Sequence, residues 1–541
     1  MSTLLDARFA VDDAILAQTQ LELETVERIR AERALAVEHA QVALDVANQR
    51  RDQLIARRDH LRNDILQHRL QMRGGAKAFP EEVLSEIFLH VLPPYTLKHG
   101  AHQIGRLRTL LERDDIDYER ALLPGVLSLV CRRWRDAALH TRDLHSYLAI
   151  PPRTSRASSI LAYISRTIAR SRLLDVYVQY VDSRSDEGTS THQPEYWSQI
   201  FDVLYENSER LRTLDLAVIA LDLRPDSGDH YDDMAETICD LALGLFRLPT
   251  PNLEHASFNL RHSRDDLKLW IPAHMQRQDL PLLTLPTYLP DAPRLQSLWL
   301  HHVPIMCVTA ALPSLKVLSI ANDYLYKGHV WSMLRLCPVL EEFYIRCEDM
   351  HGPRPGEPQL EAPTSLPIRT LGVDLQSGLD AVGDDQTMLP NLTSVILPGY
   401  MDEYLLHKAK DTITSLEIFS ASCDDETSVA VWAEFANIEH AHIRQADTFD
   451  LGGLVNLMCK EDGPMWPRLR TLKLGVDDQW AGHRGSSLIR LVETRKERGA
   501  TSGSGVRALE KIAVTKESTA AGWVIARLRK LLGPENLEIW E

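Results

Sequence analysis

The chain has 541 residues, a formal net charge of −16 and 25% charged residues. That length exceeds one compact core and calls for several units or a repeat array, and no apolar run of about eighteen residues exists to span a membrane. The acidic balance argues against sequence-independent nucleic-acid binding, which needs clustered cations to displace phosphate counterions, and the N-terminus lacks the compact apolar core of a secretory signal. Seven cysteines without any C-x-x-C point to reduced thiols, hence a cytoplasmic or nuclear setting, with most of them serving as small buried apolar residues.

Residues 1–73 contain neither glycine nor proline, and Gly74-Gly75 ends the run. A helix of that length extends about 110 Å at 1.5 Å per residue. In one heptad register Leu16, Leu23, Val37, Leu44, Ile65 and Met72 form one seam and Val26, Ala40, Ala47, Leu54 and Leu61 the other. Arg30, Arg33, Arg51, Arg58 and His68 interrupt it, so the expectation is a coiled-coil-like helix with weak self-association, or one that packs back on the rest of the chain.

The next segment is split. Phe79-Pro80 opens a helix with Glu81 and Glu82 in its first turn and Val83, Leu84, Ile87, Phe88, Val91 and Leu92 at helical spacing. After an insertion from Pro93 to Pro124, whose core Arg106–Arg113 reads as an extra surface helix, Leu127, Val130, Cys131, Trp134, Ala137 and Ala138 again recur at helical spacing, behind Arg132, Arg133 and Arg135. A basic run beside a core tryptophan is read as a solvated helix face. The combined order, Pro-initiated helix and then Leu-Ser-x-Val-Cys-Arg-x-Trp-Arg-Asp-x-Ala, resembles an F-box. The family's usual opening is Leu-Pro or Ile-Pro, here Phe79-Pro80; its usual Thr-Pro-x-Leu-Trp close is replaced by Thr141-Arg142-Asp143-Leu144-His145. A long Ala/Arg/Glu-rich helix directly before the motif also resembles the layout of large fungal F-box families.

That resemblance implies a small three-helix module docking a Skp-type adaptor of a cullin-RING (SCF-type) ubiquitin ligase. Its core and adaptor-facing residues would be Phe79, Pro80, Val83, Leu84, Ile87, Phe88, Leu127, Val130, Cys131 and Trp134.

From residue 151 a degenerate phrase repeats, apolar-x-x-apolar-x-apolar, beginning at Leu211, Leu295, Leu315, Leu340, Ile368, Leu392, Ile413, Ile438 and Leu469. Between Leu295 and Ile438 the starts lie 20, 25, 28, 24, 21 and 25 residues apart, the spacing of leucine-rich repeats. Proline stands two residues before the phrase at Pro251, Pro293, Pro313, Pro338, Pro390 and Pro467, where it ends a helix and lacks a ladder donor. Helices are expected over 195–207, 232–247, 329–336, 486–498 and 521–532, and a last strand at Asn536–Trp540. Helix alternating with strand also admits a closed barrel or a doubly wound sheet; the short, uneven strands favour an open curved solenoid.

Catalytic chemistry is not legible. Gly503-Ser504-Gly505 follows a charged helical run rather than a strand and reads as a loop. His99 and His102 lack acidic or cysteine partners for a metal, the stretch from Asp222 to Asp229 lacks the ligand order of a calcium loop, and the sequon at Asn391 falls partly in a predicted strand. No cofactor is implied.

The expectation is therefore an α/β chain: a long N-terminal helix (1–75), a three-helix F-box with an inserted helix at about 95–123 (76–150), and a leucine-rich-repeat-like α/β solenoid with a parallel sheet (151–541). On the implied reading it is a non-catalytic receptor that brings an unidentified protein substrate to a ligase, Trp299, Tyr344 and Arg346 being the candidate substrate contacts on the concave face. The alternatives are a scaffold derived from such a protein but detached from any ligase, and a hydrolase or transferase on an α/β fold, disfavoured by the missing site.

Overall fold

The computed structural model of the chain describes residues 2–75, 79–92, 117–150, 157–183, 194–221, 233–262, 286–352, 361, 363–373, 389–398, 410–419, 432–444, 451–461, 463–475, 483–501, 505–515 and 522–540. Two compact units emerge, Met1–Leu84 and Ser85–Glu541. In the first, α1 runs unbroken from Ser2 to Gly75, 74 residues, as the absence of helix breakers dictates. Its seam residues Leu16, Leu23, Val26, Leu44, Leu54, Leu61 and Ile65 are exposed.

Three short helices follow: α2 (Glu81–Val91), α3 (Tyr118–Ser128) and α4 (Arg132–His140). The start of α3 corrects the sequence reading, because Pro124 does not close an insertion but sits inside the helix, which Asp117 caps by accepting a hydrogen bond from the Arg120 backbone N–H at 2.9 Å. The proposed helix around Arg106–Arg113 lies outside the described residues. A second correction concerns Leu127–Ala138, which periodicity makes a single helix. The chain turns at Leu129-Val130, Cys131 is extended, and Arg135 Nε donates to the Ser128 carbonyl, so an end carbonyl of α3 is satisfied from α4. The segment Thr141–His145 packs without the proline and tryptophan it lacks. Arg142–His145 forms a 3-10 turn, Leu144 is buried, and the buried Thr141 hydroxyl donates to the Ala137 carbonyl at 2.7 Å and lies 2.8 Å from Ser85 Oγ.

The rest of the second unit is built on fourteen strands: β1 (Tyr147–Ile150), β2 (Leu174–Ser183), β3 (Leu211–Leu221), β4 (His255–His262), β5 (Ser297–His301), β6 (Val317–Tyr326) and β7 (Glu342–His351). These continue as β8 (Thr370–Val373), β9 (Ser394–Pro398), β10 (Ser415–Phe419), β11 (His440–Arg444), β12 (Thr471–Gly475), β13 (Lys511–Thr515) and β14 (Leu537–Trp540). They form one sheet in sequence order, parallel throughout, as at β2 with β3 and at β13 with β14. The first and last strands are its two edges, so the sheet is not a closed barrel. The strand order never reverses, so it has no switch-point crevice of the doubly wound kind either. Strand β1 lies before residue 151, which moves the start of the sheet into the segment assigned to the three-helix module.

Register explains the repeat phrase. Its second apolar position forms one continuous row: Leu298, Leu318, Phe343, Leu371, Val395 and Leu416 are paired strand to strand and continue through Ala441 to Leu472. All are buried. The first position lies in the turn before each strand, where Leu253, Leu295, Leu315, Leu340, Leu392 and Leu469 each close an i→i+3 backbone hydrogen bond with proline as the second turn residue. Proline presets the backbone of that position and the leucine beyond it enters the core.

Helices α5 (Ala157–Arg170), α6 (Pro194–Glu206), α7 (Asp233–Phe246), α8 (Lys327–Arg335), α9 (Leu451–Met458), α10 (His483–Gly499) and α11 (Gly522–Leu532) contribute to the same apolar cluster as the rows, through residues such as Phe201, Phe246, Met333, Val455, Leu488 and Leu528. Helix α10 also buries Arg495 completely; its Nη2 donates to the Met465 and Trp466 carbonyls, both at 2.9 Å, in the turn leading to β12. Burial pulls the Arg495 pKa down to about 10, so the charge is held at a cost that these two bonds partly offset.

Because a row residue packs only against neighbouring strands and the helices behind them, its truncation leaves a cavity that nothing else fills. Phe343→Ala should cost about 3–5 kcal/mol, measured as a lowered denaturant midpoint; a loss under about 1 kcal/mol would refute the continuous-row account.

Candidate functional site

Two surfaces stand out, one on the three short helices and one on the sheet face away from the helix layer. On α2, Leu84 and Phe88 are buried, and the Phe88 ring meets Trp134 of α4 edge-on with centroids 5.0 Å apart. Leu127, Ala137 and Ala138 are buried in α3 and α4. Other apolar residues of these helices point outward: Val83, Ile87 and Val91 recur every fourth position along α2, and Leu122, Val126 and Val130 do so along and just beyond α3. Leu129, in the turn, is 79% exposed.

The motif residues thus divide by environment. Leu84, Phe88 and Leu127 are core, and Trp134 is half-buried. Phe79, Pro80, Val83, Ile87, Val130 and Cys131 are exposed. The F-box resemblance groups all ten together, since a motif reports residue order and spacing and not which helix face meets a neighbour.

The three-helix segment is joined to the sheet by a buried charge cluster that the sequence reading missed. Asp175, on β2, is wholly buried; its Oδ2 lies 2.9 Å from Arg120 Nη2 of α3 and 2.5 Å from Arg212 Nη2 of β3. Ser146 Oγ donates to the same carboxylate at 3.1 Å. The Arg120 guanidinium also sits 5.9 Å from the centre of the Tyr147 ring, whose hydroxyl accepts from the Asp117 backbone N–H. Burial alone would raise the Asp175 carboxyl, but the hydrogen bond and charge of Arg212, with the charge of Arg120, hold it below its ordinary value. A lone aspartate inside the apolar run Leu173–Val178 was the available signal.

On the free sheet face, Trp299 of β5 and Tyr344 of β7 stand in one row, separated by Ser319 of β6. Both rings are buried, at 6% and 5% exposure, so neither presents much surface to a partner. Tyr344 packs with Ile396 and Phe419 and covers Gly372, where a Cβ would lie 2.3 Å from its ring, and its hydroxyl donates to Glu342 at 2.7 Å. Arg346 is half-buried two positions further along β7. Beside them lies a second group missed from the sequence: Glu417 of β10 engages His442 Nδ1 at 3.1 Å and Arg444 Nε at 2.7 Å, both on β11. Burial lowers the His442 pKa; Arg444 and Lys473 act the same way, and Glu417 opposes them. Among the described residues, no group of three histidine, cysteine or acidic side chains is arranged to hold a metal, and no helix is long and apolar enough to cross a membrane.

Compared with known proteins, the chain matches no protein-family model and no curated sequence.

The Asp175 cluster yields a pH-dependent expectation. A carboxyl whose folded pKa lies below its unfolded value contributes stability above that unfolded value and loses it as pH falls through the folded one. Asp175→Asn, which strands buried Arg120, should cost about 3–5 kcal/mol at neutral pH. The gap from wild type should be full above pH 3.8 and narrow on acidification below it. Denaturant titrations at pH 7, 5 and 3 provide the measurement, and a gap independent of pH would contradict the assignment.

Proposed function

We propose that the chain is a non-catalytic docking protein, the substrate receptor of a cullin-RING ubiquitin ligase. In this reading α2, α3 and α4 form an F-box that binds a Skp-type adaptor, and the parallel sheet with its helices is a leucine-rich-repeat-like domain that holds a protein substrate. The observation that carries the proposal is the division of apolar residues in the three short helices. A helix needs one apolar stripe for its core; α2 and α3 each carry a further outward stripe, Val83, Ile87 and Val91 on one and Leu122, Val126 and Val130 on the other. Exposed apolar side chains at helical spacing suit a partner surface.

Catalysis on this reading is proximity, the receptor raising the local concentration of substrate at another protein's active site. The setting is the cytoplasm or nucleus. The alternative scaffold, detached from any ligase, shares the sheet but requires no adaptor.

The deciding experiment is capture of the adaptor by the full chain. Because Ile87 and Val126 are exposed, Ile87→Asp with Val126→Asp should leave thermal stability unchanged and weaken adaptor binding at least tenfold, about 1.4 kcal/mol. No capture by the wild type would remove the ligase reading in favour of the scaffold.

Helix α1 is assigned a modest role in self-association. Its leucines are exposed, but arginines interrupt the seam and their desolvation opposes pairing. Sedimentation velocity across concentration should show a weak dimer that is absent after removal of residues 1–73; a tight dimer would mean the arginines cost less than argued.

A further inference from the structure

Where α3, the Arg142–His145 turn, β1 and α5 meet, the second unit holds a cavity of about 230 Å³. Its wall includes Arg120, His145, Tyr147, Tyr163, Arg166 and Arg170 and contains no carboxylate side chain. From these residues we propose that the cavity binds a small phosphate-bearing anion. The inference is independent of adaptor docking, which uses the outward stripes of α2 and α3.

The charges around the cavity are unevenly matched. The Arg120 charge is countered by Asp175. The nearby Asp117 side chain is occupied in capping α3. Arg166 and Arg170 are different. They stand one turn apart on α5, both exposed, where like charges at i and i+4 repel. Arg166 spends its Nε on the Ala162 carbonyl at 3.0 Å, and Arg170 makes no hydrogen bond or ion pair with any described residue. Arg170 also lies in the last turn of α5, where it offsets the helix dipole; that weak partial charge does not neutralise two guanidinium groups.

Across the cavity, His145 places Nε2 3.0 Å from the Ala138 carbonyl, which fixes Nε2 as the donor. Its pKa is lowered by burial, the backbone hydrogen bond opposes that, and the Arg170 charge adds to the lowering. An anion between His145 and the arginines would relieve the Arg166–Arg170 repulsion and oppose the effects that lower the His145 pKa. Planar guanidinium forks match phosphate oxygens in paired hydrogen bonds, and the volume lies below the 300–1,000 Å³ or so of drug-sized pockets, so a compact anion suits it.

Calorimetry on the full chain tests this with sodium pyrophosphate as probe and citrate, of comparable charge, as control, at matched ionic strength. Saturable one-to-one pyrophosphate binding is expected, with citrate at least tenfold weaker. Arg166→Gln with Arg170→Gln, both on the exposed side of α5, should reduce pyrophosphate affinity at least tenfold at unchanged thermal stability. The His145 imidazole, followed by NMR, should titrate at higher pH when pyrophosphate is bound. Absence of saturable binding, equal affinity for citrate, binding indifferent to the double substitution, or a His145 titration unmoved by pyrophosphate would each overturn the proposal.

Discussion

Parallel pairing in strict sequence order is the constraint on which the second unit depends. No strand has a core of its own, so its inward side chains are buried only by the strands on either side and by the helices behind. That requirement fixes the register: slipping one strand by a residue would turn its whole inward set to the other face. It tolerates uneven spacing, since the length between strands can vary as long as the next leucine arrives in the row. Ala256 and Ala441 occupy the row without breaking it, because larger neighbours such as Phe258 and Leu472 flank them.

Such an array must end, and its two ends are handled differently. At β1, α3 covers the opening strands. Ala121 of α3 packs with Tyr147, Ala149 and Tyr177, and Arg120 reaches into the sheet to Asp175. At β14 the protection is slighter: Leu537 is buried, but Ile539 and the nearby Trp523 are exposed. The Asp175 cluster is costly to desolvate and would add little stability over an apolar contact of equal volume. What it supplies is direction. Two arginines from different elements share one carboxylate, so α3 is held in a single orientation on the strands, and a partner bound to the short helices would be held at a fixed attitude to the sheet.

The face of the sheet away from the helices is not uniform. Its middle is aromatic and closely packed around Tyr344, and beside this lies the mixed group of Glu417, His442, Arg444 and Lys473, cation-rich in a chain with a formal charge of −16. Burial disfavours the charged form of both His442 and Lys473.

The sequence by itself determined the long helix, the repeat and the class of fold. Freedom from glycine and proline is a local property and suffices for α1; the apolar phrase with its leading proline is local too, and it located most strands from β3 onward and the last strand. Strand β4 escaped the phrase because Ala256 stands at its second apolar position and satisfies the row through its neighbours, and β1 because His145 stands at the first; β2 (Leu173, Val176, Val178) and β13 (Leu509, Ile512, Val514) carry the phrase and were missed. What only the tertiary structure decided was everything that depends on which face meets what. The break at Leu129–Cys131 is invisible to a periodicity that continues through it. Trp299 and Tyr344, expected as contact residues, are both buried, and the burial of Tyr344 follows from neighbours such as Ile396 and Phe419, far along the chain. Asp175, Arg120 and Arg212 come together only when three separate elements do. Spacing in a chain records what each element needs; the partner that meets the need is chosen by packing, which acts across sequence distances that no local pattern spans.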